Sequence, residues 1–177
     1  MISIETALKH MAWSNQKLFH EISALPSDIY QLKAVEGEWP IGQLLTHLIG
    51  AAEWYRYCLT SEPWGEVIPI NNHEILSLEA GKLARLDQLL VNQAQLDDDL
   101  MTFDDENGPA TYRRSVILTQ AQMHAAEHKG QIATILKMHG HYLDLDKYDV
   151  LACEVNLFDG CRPRHRVYLN LNGVHAF

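Results

Sequence analysis

His124 and His128 stand four residues apart in His124-Ala125-Ala126-Glu127-His128. On a helix that spacing puts both imidazoles on one face, one turn apart. Two neutral ring nitrogens so placed can grip one divalent metal, the spacing used by helical zinc motifs. Ala121, Ala125, Ile132 and Ile135 recur on the same face, so the pair borders an apolar stripe. Imidazoles turned toward a core without a metal would each need a hydrogen-bond partner. Two half-exposed histidines on a surface edge are the plainer alternative. His47 supplies the context, because it falls among Leu44, Leu48, Ala51 and Trp54 on a core-facing stripe of its own. One isolated core histidine is ordinarily a hydrogen-bonded structural residue. Opposite His124 and His128, it would complete three neutral nitrogen ligands from two helices. That set leaves a divalent metal with open coordination positions, as in catalytic rather than structural sites. Glu127, three residues after His124, could orient an imidazole or accept a proton from a water that the metal activates. An exposed helix charge is the simpler reading of it.

Four helical patterns must position these residues. The first covers about residues 3–25, with Ile4, Leu8, Met11, Leu18, Ile22 and Leu25 at helical steps and Pro26 as its stop. The second opens after Trp39-Pro40, with Pro40 suited to a first turn, and runs through Leu44, Leu48, Ala51 and Tyr55 to about Leu59. A turn-rich stretch, Ser61-Glu62-Pro63-Trp64-Gly65, leads to Asn71-Asn72, either of which suits an N-cap. The third helix is predicted over residues 73–103, carrying Leu76, Leu83, Leu86, Leu90 and Met101, with the run 104–109 closing it. The fourth is predicted from Arg114 or Ser115 to His139, with Gly140 as its C-terminal residue. Four amphipathic helices with short to medium connections predict an all-α four-helix bundle over residues 1–149. Residues 150–177 form a C-terminal extension: β-branched stretches at 150–158 and 166–171 flank Asp159-Gly160, compatible with a short hairpin or with a frayed or partner-bound tail.

Composition narrows the function. Lys plus Arg is 14 against 23 for Asp plus Glu, a net charge of −9, which argues against binding a phosphate backbone. No stretch approaches the roughly 18–20 apolar residues of a membrane-spanning helix. The start, Met1-Ile2-Ser3-Ile4-Glu5, lacks the basic and apolar parts of a secretory signal. Cys58, Cys153 and Cys161 lack zinc-finger spacing, so the expectation is a cytoplasmic protein with reduced thiols; a Cys153–Cys161 pair would need the hairpin. Of the ten histidines, His139 suits a helix C-terminus, and His10, His20 and His141 read as solvated. His73 opens the third helix after a loop that could overhang the site. His165 and His175 lie in the extension, the former inside the basic cluster Arg162-Pro163-Arg164-His165-Arg166, a solvated turn or a contact for an acidic partner. Asn15 interrupts the first apolar stripe, as a buried hydrogen bond or a pocket wall would. Trp13, Trp39, Trp54 and Tyr55 read as core aromatics, some of which could line a pocket.

Three stretches resemble the DinB-like (DinB/YfiT) superfamily of bacterial four-helix-bundle proteins. They are Trp13-Ser14-Asn15, the run Glu38-Trp39-Pro40-Ile41-Gly42-Gln43-Leu44-Leu45-Thr46-His47-Leu48, and His124-Ala125-Ala126-Glu127-His128-Lys129-Gly130-Gln131-Ile132. Together they span about residues 3–149. The resemblance implies that His47, His124 and His128 ligate a metal, described as zinc or nickel in the family, with iron or manganese as further candidates. It also implies a homodimer. Glu127 stands where many members have a histidine, and Lys129 where arginine is common; neither change removes an expected ligand. Related branches are described as S-transferases and isomerases that use a low-molecular-weight thiol. The expectation is therefore a metal-dependent enzyme that presents a thiolate to a small electrophile. Metal-dependent hydrolysis, and a metal-binding stress-response protein without turnover, are the alternatives, together with a structural bundle whose histidines bind metal adventitiously.

Overall fold

The Ser3 hydroxyl accepts the Thr6 N–H at 3.1 Å and caps the first helix, α1 (Ile4–Ser23). Leu8, Met11, Leu18, Phe19 and Ile22 form its buried face, with Ser14 and Asn15 buried among them. Pro26 cannot donate to a continuing ladder, and a short 3-10 turn (Ser27–Gln31) follows it. α2 (Ile41–Thr60) begins straight after Pro40 and ends at Ser61, which turns left-handed at φ 58°. Asn72 caps α3 (His73–Gln93) by accepting the Ile75 N–H at 2.9 Å. α4 (Arg114–Met138) stops before Gly140, whose φ of 83° lets the His141 N–H reach back to the Leu136 carbonyl at 2.9 Å. The structure, a computed structural model, describes residues 3–150. The hairpin expected beyond residue 150 and the Cys153–Cys161 pair lie outside the described residues.

The periodicity reading departs from the structure between α3 and α4. α3 stops at Gln93, ten residues short of the expected end, and an antiparallel hairpin follows: β1 (Leu100–Asp105) against β2 (Gly108–Arg113). The acidic run before β1 explains the stop, because its groups are committed to the start of α4. The Asp98 carboxylate accepts the Ser115 N–H at 2.8 Å and its hydroxyl at 3.1 Å. The Asp97 and Asp99 carbonyls accept Nε and the backbone N–H of Arg114, each at 2.9 Å. Along β1, Phe103 turns inward while Thr102 faces out to meet the Thr111 hydroxyl at 3.0 Å. Glu106-Asn107 makes the turn, with Gly108 at φ 106° closing it. The described residues are therefore mostly helical with a small two-stranded sheet, so the all-α expectation holds only in part.

All four helices contribute to one hydrophobic core, α1 packing on α3 and α4 and α2 on the same two. No described helix is long and apolar enough to cross a membrane. After α4 the chain returns to α1, where the Tyr148 hydroxyl donates to Glu21 at 2.8 Å and Nε2 of His10 donates to the Tyr148 carbonyl at 2.7 Å. His10 is thus half-buried and partnered rather than solvated. His139, at the end of α4, donates to the Lys33 carbonyl at 2.9 Å.

The link between α2 and α3 crosses α2 at Gly42. A Cβ there would stand 2.3 Å from the Ile70 carbonyl oxygen and 3.1 Å from that of Tyr30. Both are backbone atoms and cannot swing aside. One turn on, Thr46 donates to the Gly42 carbonyl at 2.7 Å and accepts the Ile70 N–H at 2.9 Å. The linker is therefore tied to the turn of α2 that precedes His47. Gly42→Ala is expected to cost about 1–3 kcal/mol, the usual range for overpacking, seen as a lower midpoint in urea. A midpoint equal to wild type would mean that the linker yields at no cost.

Candidate metal centre

α2 and α4 bring His47, His124 and His128 together. Nε2 of His124 lies 3.1 Å from Nε2 of His47 and 3.0 Å from Nε2 of His128. One ring nitrogen from each of the three falls within 4.8 Å of the others. Ligand nitrogens about 2.0–2.1 Å from one ion at near-tetrahedral angles stand about 3.3 Å apart. The spacing therefore suits a shared divalent cation. Among the described residues this is the one group of three or more His, Cys, Asp or Glu side chains close enough to share an ion, and no carboxylate joins it.

The surroundings favour the lone-pair form of these rings. His128 is buried, and its Nδ1 donates to the Gln131 side-chain oxygen at 2.7 Å. That bond fixes the proton on Nδ1 and leaves the Nε2 lone pair toward the other two rings. Burial holds His47 below the ordinary imidazole value, with His128 adding to the effect. Burial also lowers His124, to about 4; His128 and His47 push the same way and the Glu127 charge opposes them. Both shifts favour the neutral ring, the state a metal requires. Trp39 lies edge-on to His47 at a centroid distance of 4.9 Å and is 42% exposed, so it forms the rim of the site rather than the core.

The other candidates separate clearly. Glu127 is exposed on α4 and, among the described residues, makes no hydrogen bond or ion pair, so it reaches the trio through its charge alone. His73 Nδ1 lies 2.6 Å from the Tyr30 hydroxyl and takes no part in the trio. Tyr55 is buried, with its ring 6.1 Å from that of His124. Trp54 is half-buried in an aromatic group with Trp64 and Phe103, at 5.9 and 5.5 Å. Burial pushes the Cys58 thiol up to about 12, which leaves it unreactive.

Sequence reasoning singled out Asn15 but missed the partners that make it part of a polar cluster inside the core. Nδ2 of Asn15 donates to both carboxylate oxygens of Asp87, at 3.0 and 3.2 Å, and Lys129 Nζ donates to the Ser14 hydroxyl at 2.5 Å. Burial raises Asp87 to about 6 against the pull of Asn15 and Lys129, and burial lowers Lys129 to about 8. The available signal was Asp87 itself, set between Leu83 and Leu90 on the apolar stripe of α3. The DinB family model matches residues 1–148 of the chain. Comparison with curated proteins gives no match.

Proposed function

The chain belongs to the DinB family, and from that premise we propose that it is a metal-dependent enzyme for thiol transfer to a small electrophile. In this reading residues 1–149 are a DinB-type four-helix bundle carrying a hairpin, and residues 150–177 are a separate extension. His47, His124 and His128 hold one divalent ion, zinc or nickel before iron or manganese. The observation that carries the reading is the convergence of three imidazoles with no carboxylate among them. Such a set leaves the charge of the ion uncompensated, and the bound metal then lowers the pKa of a thiol or water toward neutrality.

The chain's own side chains divide the remaining work. Gln131 fixes the proton of His128 on Nδ1. Trp39 flanks His47 as an apolar rim against which a small organic substrate can lie. Glu127, exposed beside the trio, accepts the thiol proton; the thiol sulfur forms the new bond to the electrophile as the leaving group departs. Val116 and Met123, two turns apart on the outer side of α4, stay exposed and support a homodimer that covers them. Neither nucleic acid nor membrane enters the proposal.

The test is a panel of common cellular thiols with a chromogenic electrophile. Zinc- or nickel-loaded protein is expected to consume thiol and electrophile together. Glu127→Gln is expected to slow this by about 100-fold, the lower range for losing an acid–base group, with metal content unchanged. Loss of electrophile without thiol would favour hydrolysis instead. Metal-loaded protein that is inert across the panel would overturn the enzyme in favour of a metal-binding protein without turnover.

A further inference from the structure

His124 lies on two sites at once. Besides the imidazole trio, it lines a cavity at the centre of the helices, together with Asn15 of α1, Tyr55 of α2 and Asp87 of α3. Four alanines among the lining residues keep this space open, a cavity of about 10 Å³ with room for about one water.

The polar groups on its wall are complementary. Asn15 is 2% exposed, and its Nδ2 is committed to both oxygens of Asp87. Oδ1 of the same amide therefore faces away from Asp87, and it is buried without a hydrogen-bond partner among the described residues. It is an acceptor that lacks a donor. His124 has the opposite need. Its Nε2 faces His47 and His128, and a ring that offers the Nε2 lone pair carries its proton on Nδ1. That Nδ1–H needs an acceptor, and among the described residues Nδ1 has no partner. Tyr55, on the same wall, makes no hydrogen bond to His124 among the described residues.

We propose that the cavity is a site for one bound water, which accepts from Nδ1 of His124 and donates to Oδ1 of Asn15. Asp87, by fixing the Asn15 amide, is then a positioning residue for His124. The assignment of the Nδ1 proton rests on His124 acting as a ligand through Nε2, the reading proposed above.

Crystal structures of the purified protein with and without zinc, resolved well enough to show ordered water, test the site directly. A water within hydrogen-bond distance of Asn15 Oδ1 and His124 Nδ1 is expected in both, and none in Asn15→Leu. In zinc-loaded, histidine-labelled protein, the His124 Nδ1 proton is expected as a slowly exchanging NMR resonance that is lost in Asn15→Leu. Zinc affinity of that variant, by chelator competition, should fall about 10–100-fold, with one ion still bound at saturation. Should Asn15→Leu not fold, Asp87→Asn keeps the side-chain volume and should weaken zinc about 10-fold, at the low end of the same range. A dry cavity in wild type overturns the inference whether or not zinc binds. So does a folded Asn15→Leu with unchanged affinity and an unchanged His124 resonance, and that outcome leaves the metal centre standing. Wild type that takes up no zinc, yet holds the water, sinks the metal centre and with it the positioning role, while the water site stands.

Discussion

His124→Ala is expected to take the protein from about one divalent ion per chain to nearly none, by elemental analysis after expression with zinc, nickel and iron supplied. Losing a partner one shell out costs roughly 10–100-fold in affinity, and losing a direct ligand from a set of three should cost more. His124 is the most consequential choice, because its Nε2 is the one that meets both other rings, at 3.1 and 3.0 Å. The variant is also a fair test of binding rather than folding. Alanine is the strongest helix former, the side chain it replaces is only half-buried, and far-UV circular dichroism should be unchanged. His47→Ala should behave alike. Wild type that carries no metal under these conditions would sink the assignment, and so would a variant that keeps a full ion.

Arg56→Met is expected to destabilise the fold by about 3 kcal/mol at pH 7, the low end of the cost of breaking a buried ion pair. Glu53 of α2 is 4% exposed and receives Arg56 Nε at 2.8 Å and Lys82 Nζ of α3 at 3.1 Å. Burial alone would raise this carboxyl, but hydrogen bonds and charge from Arg56 and Lys82 outweigh it and hold the group below its ordinary value of 4.5. Removing Arg56 leaves a buried carboxylate with one partner. It also frees the loop after α2, since Arg56 holds Glu62 at 2.8 Å and the Pro63 carbonyl at 2.6 Å. Lys82 remains, which is why the low end is expected. The pH dependence has a definite sign. A carboxyl whose folded value is depressed contributes stability that is fully present above its unfolded value and is lost as pH falls through the folded one. The gap between wild type and variant in urea melts should therefore narrow below about pH 4.5. Glu53→Gln should recover part of the loss in the double variant. A gap under about 0.5 kcal/mol, the range of an ordinary surface change, or one that widens with acid, would contradict the account.

The trio was legible because helical periodicity fixes which way a residue faces. His124 and His128 share a face through their spacing alone, and His47 sits between Leu44 and Leu48 on a stripe that must turn inward. The starts of α2 after Pro40 and of α4 at Arg114 followed from proline and pattern. The end of α3 did not, for a physical reason. Met101 lies eleven residues past Leu90, close to three helical turns, so the apolar period runs on through the turn and into a strand. Asn107-Gly108 is a hairpin signal, but it was absorbed into the polar run as a helix stop. The acidic residues before the strand acquire their meaning only from Arg114 and Ser115, which cap against them from 17 residues away. Asn15 read as a buried hydrogen bond or a pocket wall, and it is both. Its partner Asp87 is 72 residues distant, beyond any local pattern. Trp39 shows the remaining limit, since an aromatic just before a helix reads alike whether it fills the core or rims a site.

The three imidazoles are unevenly spaced along the chain. His128 follows His124 by four residues, whereas His47 is 77 residues from the nearer of them. During folding the two on α4 become neighbours as soon as a single turn of helix forms. The third arrives only when α2 docks against α4, which closes a loop through the whole of α3 and the hairpin. A nascent or partly unfolded chain therefore offers two of the nitrogens at most, and long-range contacts of this kind are the slow ones to assemble. The complete trio is a property of the finished fold, and its formation marks the moment when the two halves of the chain have found each other.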